Sequence, residues 1–75
     1  MYLSDLEFEA DTNYEYGKFY ILRGIDVAGK MHSFDTSEER MEEGQELVRA
    51  SSQPVYARIT YLPHTKTLMT LEYIT

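Results

Sequence analysis

The sequence predicts an α+β domain: a small antiparallel β-sheet of four to five strands, in ββ(β)αββ order, with one amphipathic helix packed on one face. Three observations lead there. Most of the chain alternates apolar and polar residues with the period of two that marks half-buried strands. One central stretch, 35–51, follows the helical period instead and opens on a capping sequence. Strands on both sides of a single helix favour an antiparallel sheet that the helix covers.

The elements follow in order. In residues 2–10, Leu6, Phe8 and Ala10 fall on one face, and Asp5, Glu7 and Glu9 on the other. Asp11-Thr12-Asn13 reads as a turn, because short polar side chains bond their own backbone there. Residues 14–27 form a long β-rich run, with Phe19, Ile21, Ile25 and Val27 on one face and Tyr16, Lys18, Tyr20 and Leu22 on the other. Gly17 and Gly24 interrupt it and mark a bend or bulge. Ala28-Gly29 reads as a tight turn into a short strand, 30–34.

Asp35-Thr36-Ser37-Glu38 matches a capping box, with Asp35 at the N-cap and Glu38 at the third helical position. The helix is expected to end near Ala50 or Ser51, with Met41, Gly44, Leu47, Val48 and Ser51 facing inward. Gly44 costs about 1 kcal/mol of helix propensity relative to Ala, a cost consistent with close approach to the sheet. After Ser52-Gln53-Pro54, Val55, Ala57, Ile59 and Tyr61 alternate with Tyr56, Arg58, Thr60 and Leu62. Pro63 to Lys66 forms a turn, and 67–74 a last strand in which Met69, Leu71 and Tyr73 oppose Leu68, Thr70, Glu72 and Ile74.

Composition sets the bounds. The 75 residues suffice for one domain. Leu, Ile, Val and Phe number 17, so the core is thin, but 7 tyrosines at strand-like spacing argue for a folded chain rather than a solvating tail. The absence of cysteine excludes disulfide scaffolds and thiolate metal sites. No apolar run reaches membrane-spanning length. The first residues lack a basic stretch followed by an apolar one, so no secretory signal is expected and a cytoplasmic location is the default.

The formal charge of −6 is not evenly spread. Residues 1–15 carry five acids and no base; residues 35–46 carry six acids and only Arg40. Within the helix, Glu39, Glu42, Glu43 and Glu46 follow i, i+3, i+4, i+7 spacing and share one face. Such a row serves either as a solvated face or as a docking surface for a basic partner, with carboxylates standing in for nucleic-acid phosphates. Asp5, Glu7 and Glu9 supply a second row. A different set, Tyr16, Lys18, Tyr20, Tyr56 and Arg58, would form a stacking platform for a single strand if it shared one open sheet face. Cross-strand pairing, of the aromatics with each other and of Lys18 or Arg58 with Asp5, Glu7 or Glu9, is the plainer reading, and the net acidity argues against nucleic acid.

Catalytic signatures are absent. His32 and His64 occupy different hairpin regions with no spacing to a carboxylate that a metal site or triad requires. Asp11-x-Asn13-x-Glu15 has the start of a calcium loop, but Tyr16 and Leu22 stand where that loop needs glycine and glutamate. No phosphate loop or nucleophile elbow is present. No enzyme activity, metal or cofactor is expected.

In size, charge and lack of catalytic signature the chain resembles the small acidic inhibitors that phages make against host or defence nucleoproteins, anti-CRISPR proteins among them. The resemblance covers overall character and carries over no residue position. The leading expectation is a non-catalytic acidic protein-binding module that inhibits or modulates a basic, nucleic-acid-binding partner through Glu39, Glu42, Glu43, Glu46, Asp5, Glu7 and Glu9. The alternatives are an oligomer-forming accessory subunit, pairing as a homodimer through its tyrosine-rich sheet face or edge, and a single-strand binder.

Overall fold

A computed structural model of the chain describes residues 1–15, 17–65 and 67–75. Its elements are β1 (Tyr2–Asn13), β2 (Gly17–Ile25), β3 (Met31–Thr36), α1 (Glu38–Ala50), β4 (Tyr56–Leu62) and β5 (Thr67–Ile74). The fold is the expected α+β arrangement of an antiparallel sheet with one helix. The short strand before the helix is present, which makes five strands.

Every paired neighbour is antiparallel, and the spatial order is β3-β2-β1-β4-β5. Three hairpin-linked strands are thus followed, after the helix, by a fourth that returns beside the first, which is a Greek key. The end strands β3 and β5 are each parallel to β1 and come together in space, so the sheet curls into a partly open barrel.

The curl starts in β1. Asp5 has φ of 50°, and the register with β2 slips between Ser4 and Glu7. Such a bulge bends a strand and sharpens its twist. Before the bulge, Tyr2 and Leu3 pair with Arg58 and Ala57 of β4; after it, Glu7 to Asn13 pair with β2. The bulge also resets the alternation. Leu3 is fully buried and Leu6 packs against the same core, although they are three residues apart.

Strand β5 repeats the device. Thr60 pairs with Thr70 but Tyr61 pairs with Leu68, so Met69 is the extra residue. The expected grouping of Met69 with Leu71 and Tyr73 is therefore corrected: Leu68 packs on the core with Leu71, and Met69 is 62% exposed.

The core consists of Leu3, Leu22, Phe34, Ala57, Ile59 and Leu71, with Leu6, Phe8, Tyr61, Leu68 and Tyr73 packed around it. Leu22 sits opposite Phe34, and Ile59 opposite Leu71. Gly24 allows the bent start of β1 to lie close: a Cβ there would stand 2.7 Å from Leu3 Cβ.

Helix α1 lies on this inner face. A Cβ on Gly44 would stand 2.5 Å from Phe8 Cζ and 2.6 Å from Tyr73 Cζ, so glycine sets the closeness of helix and sheet, as its position suggested. Met41 and Gly44 are buried and Leu47 and Ser51 half-buried, but Val48, expected inward, is 45% exposed. Tyr73 Oη donates to Arg40 O at 2.7 Å, and Arg40 Nη1 donates to Leu71 O at 3.3 Å, tying the helix to β5. Burial, aided by Glu43 and opposed by Arg40, pushes the Tyr73 hydroxyl up to about 12.

Two boundaries move. Ser37, not Asp35, is the N-cap, its Oγ accepting from Arg40 N at 3.2 Å. Asp35 and Thr36 still pair with Ile21 and Tyr20, so β3 runs on, and Arg40 rather than glutamate occupies the third helical position. The first turn also lies further on than residues 11–13. Asp11, Thr12 and Asn13 pair with Phe19, Lys18 and Gly17, and Asn13 Oδ1 accepts from Glu15 N at 2.8 Å.

Candidate functional site

The helix acids Glu39, Glu42, Glu43 and Glu46 are all exposed. Glu46 bonds Arg49 at 2.9 Å, and Glu43 lies 3.8 Å from Arg40. Glu39 and Glu42 form no ion pair among the described residues. The Tyr20 hydroxyl is raised above its ordinary value by burial, by its hydrogen bond to Glu38 and by the nearby Glu42.

The strand acids lie elsewhere. Phe8 faces the helix, so its neighbours Glu7 and Glu9 project from the opposite side of β1, and Asp5 is exposed on the bulge. The helix therefore stands on one side of β1 and these acids on the other. The two acidic rows are not one continuous surface.

What accompanies the strand acids is apolar. Leu22 and Gly24 point into the core, so Phe19, Ile21, Arg23 and Ile25 point out. Register places Asp11 beside Phe19, and sets Ile21 between Glu9 and Asp35. Arg23 lies between Glu7 and Ser33, and Met31 beside Ile25. Phe19 is 36% exposed and Met31 58%. Arg23 Nη1 meets Glu9 Oε2 at 2.6 Å; Glu7, Asp11 and Asp35 have no ion pair among the described residues. The helix-free face of β1-β2-β3 is thus an apolar stripe interrupted by Arg23, with carboxylates along β1 and one, Asp35, on β3.

The sequence grouped Phe19, Ile21 and Ile25 correctly on one face, yet Asp11 and Asp35 were not assigned to the site. Their signal was the pairing register, which single-strand periodicity does not contain.

Near the end of the stripe, Tyr2, Ile25, Val27 and Tyr56 line a small cavity of about 90 Å³. Tyr2 and Tyr56 are exposed. Arg58 is paired with Glu72, and the Tyr2 hydroxyl and Glu72 together hold its guanidinium above its ordinary value. The expected pairs of Lys18 or Arg58 with Asp5, Glu7 or Glu9 are not among the ion pairs of the described residues: Arg58 meets Glu72 across β4 and β5, and it is Arg23 that meets Glu9 across β1 and β2.

The aromatic-basic set does not assemble on one face. Lys18 and Tyr20 lie on the side that the helix covers, around a cleft shared with Glu38 and Met41. Tyr56 and Arg58 project from the other side, since Val55, Ala57 and Ile59 face the core. Tyr16 lies outside the described residues.

His32 is buried, stacked on Phe34 at 6.1 Å, with Nε2 2.7 Å from Asp26 Oδ2. Asp26 Oδ1 also accepts from Ala28 N and Lys30 N, each at 2.9 Å. The bond to His32, then these backbone bonds, hold the Asp26 carboxyl below its ordinary value. The pair fixes the β2–β3 turn, where Gly29 has φ of 84°. His64 is exposed in the turn after β4. Among the described residues, no three or more His, Cys, Asp or Glu side chains gather as metal ligands, and no helix is long and apolar enough to cross a membrane.

Scans against protein-family models, curated proteins and solved structures each find no match.

Proposed function

We propose that the chain is a non-catalytic acidic protein-binding module that docks on a basic, nucleic-acid-binding surface of a partner protein and so inhibits or modulates it. The observation that supports this reading is the charge of the helix-free sheet face, where Glu7, Glu9, Asp11 and Asp35 surround a single base, Arg23. OB-fold barrels share the five-stranded, partly open Greek-key form and take oligonucleotides on the face of their second and third strands. Single-strand binding needs cations along that face. Here carboxylates stand there, which repel phosphate and attract the basic groove that phosphate would occupy. The phage-inhibitor resemblance points the same way.

The exposed helix row Glu39, Glu42, Glu43 and Glu46 adds to the long-range attraction from a second side, where steering depends on net field rather than contact. The test is kinetic. A binding partner isolated from host lysate on the immobilised chain is titrated over a range of salt. Reversal of Glu7 and Glu9 to Lys is expected to slow association and flatten its salt dependence. Association that is unchanged in rate and salt dependence contradicts the proposal.

A further inference from the structure

The outer face of β1-β2-β3 carries more than charge. Its acids lie on both sides of the middle strand: Ile21 stands between Glu9 on β1 and Asp35 on β3, Phe19 beside Asp11, and Ile25 between Ser4 and Met31. A surface meant only for solvation would place mostly polar residues on the middle strand, whereas here Arg23, held to Glu9 at 2.6 Å, is the one polar side chain among Phe19, Ile21 and Ile25. A surface meant for phosphate-like mimicry alone would have no use for Phe19 or for Met31, which is 58% exposed. Phe19 and Met31 are exposed and Ile21 and Ile25 half-buried beside them, and the largest apolar patch on a monomer is often functional.

We infer that this face receives a basic amphipathic helix of the partner, laid along β2 with its apolar side on Phe19, Ile21 and Ile25 and its Lys or Arg residues reaching Glu9, Asp11 and Asp35. The inference rests on the proposed function and names the element that the acidic surface engages. Dimensions agree: the seven residues from Phe19 to Ile25 extend about 20 Å, which a helix of about 13 residues covers. A helix about 10 Å across also brings cations on both its flanks over β1 and β3, each about 4.8 Å from β2. Charge complementarity selects this occupant over two others. A second copy of the chain would set carboxylates against carboxylates, and a nucleic acid would set phosphates there.

The probe is a synthetic 14-residue peptide with Leu at i, i+3, i+4 and i+7 positions and Lys elsewhere. It is compared with a Lys/Leu peptide of the same composition in scrambled order, with oligolysine and with a thymidine oligonucleotide, using amide chemical-shift mapping and titration. The expected result is perturbation of Phe19, Ile21, Ile25 and Met31 by the amphipathic peptide, with the scrambled peptide about tenfold weaker. Ile21→Lys is expected to weaken binding at least about tenfold. The double variant Glu9→Lys, Asp35→Lys does the same without touching the apolar line. Met69→Lys, at an exposed position on β5, leaves the mapped contacts in place.

Shifts confined to the helix acids, or equal binding of the amphipathic and scrambled peptides, overturn this inference and leave the acidic-module reading standing. No response to any cationic peptide overturns both, as does binding of the oligonucleotide in preference to them. A concentration-dependent dimer using the same residues overturns the inference in favour of a second copy.

Discussion

The two faces of β2 are both apolar and meet different fates. Tyr20, Leu22 and Gly24 face Phe34, Leu3 and the helix, and Leu22 is fully buried. Phe19 and Ile21, one residue out of phase, lie beside carboxylates, and Ile25 lies between Ser4 and Met31; Phe19 is exposed and the two isoleucines are half-buried, away from the helix. Hydrophobicity alone does not decide which side of a strand becomes core. The neighbours decide: the inner side of β1 offers Leu6 and Phe8, the outer side Glu7 and Glu9. A strand with an apolar outer face surrounded by acids is stable where it stands and incomplete as a surface.

Substitutions on the inner side sharpen this contrast. Gly24→Ala places a methyl 2.7 Å from Leu3 Cβ, an atom fixed to the backbone that cannot swing away. It is expected to cost about 1–3 kcal/mol, read as a lower urea midpoint with unchanged slope. An effect near zero would show that the bend of β1 does not press on β2.

Gly44→Ala is expected to cost less. The new methyl meets the far ends of Phe8 and Tyr73, which can move, though Tyr73 would strain its bond to Arg40 O. Overpacking of about 1–3 kcal/mol is offset by about 1 kcal/mol of recovered helix propensity. The net is a modest loss in the same urea assay. A net gain would show that the helix can lift from the sheet without penalty.

Asp26 anchors the turn that leads out of β2, and its effect depends on pH. Because its folded-state carboxyl is held below its ordinary value, first by His32, its contribution is present above the ordinary carboxylate range. The contribution fades as pH falls through the folded-state value. Asp26→Asn is therefore expected to be less stable than the parent at about pH 7, with the gap narrowing toward about pH 3. A gap that is constant with pH would place the effect in turn geometry alone.

Element order was legible because each strand keeps its period and the helix breaks it. The β4 and β5 boundaries and the helix end followed from Pro54 and the turn at Pro63, His64 and Thr65; Lys66, expected in the same turn, lies outside the described residues. The bend or bulge expected at Gly17 and Gly24 of β2 is misplaced: the extra residues lie in β1, opposite Gly24, and in β5, and both leave the same mark, since Leu3 with Leu6, and Leu68 with Leu71, are leucines three apart in otherwise alternating strands. A spacing of three in a strand asks for an extra residue if both are to be buried. The capping box was misplaced because Asp35-Thr36-Ser37 offers three acceptable caps, and the choice was made by pairing with Tyr20 and Ile21 across the sheet. The site was half legible. Alternation singled out Glu7 and Glu9 and set Phe19 and Ile21 on one face without assigning them to a site, whereas Asp11 and Asp35 joined them only through register.

The central claim, that β2 has one structural face and one free face, is tested most directly by urea unfolding of Leu22→Ala and Ile21→Ala side by side. Leu22→Ala is expected to lose about 2–5 kcal/mol through transfer and cavity terms. Ile21 is only half-buried, so Ile21→Ala is expected to lose less, about 1–2 kcal/mol from partial burial and strand preference. Equal losses in the two variants would contradict it, because Ile21 would then be part of a packed interior.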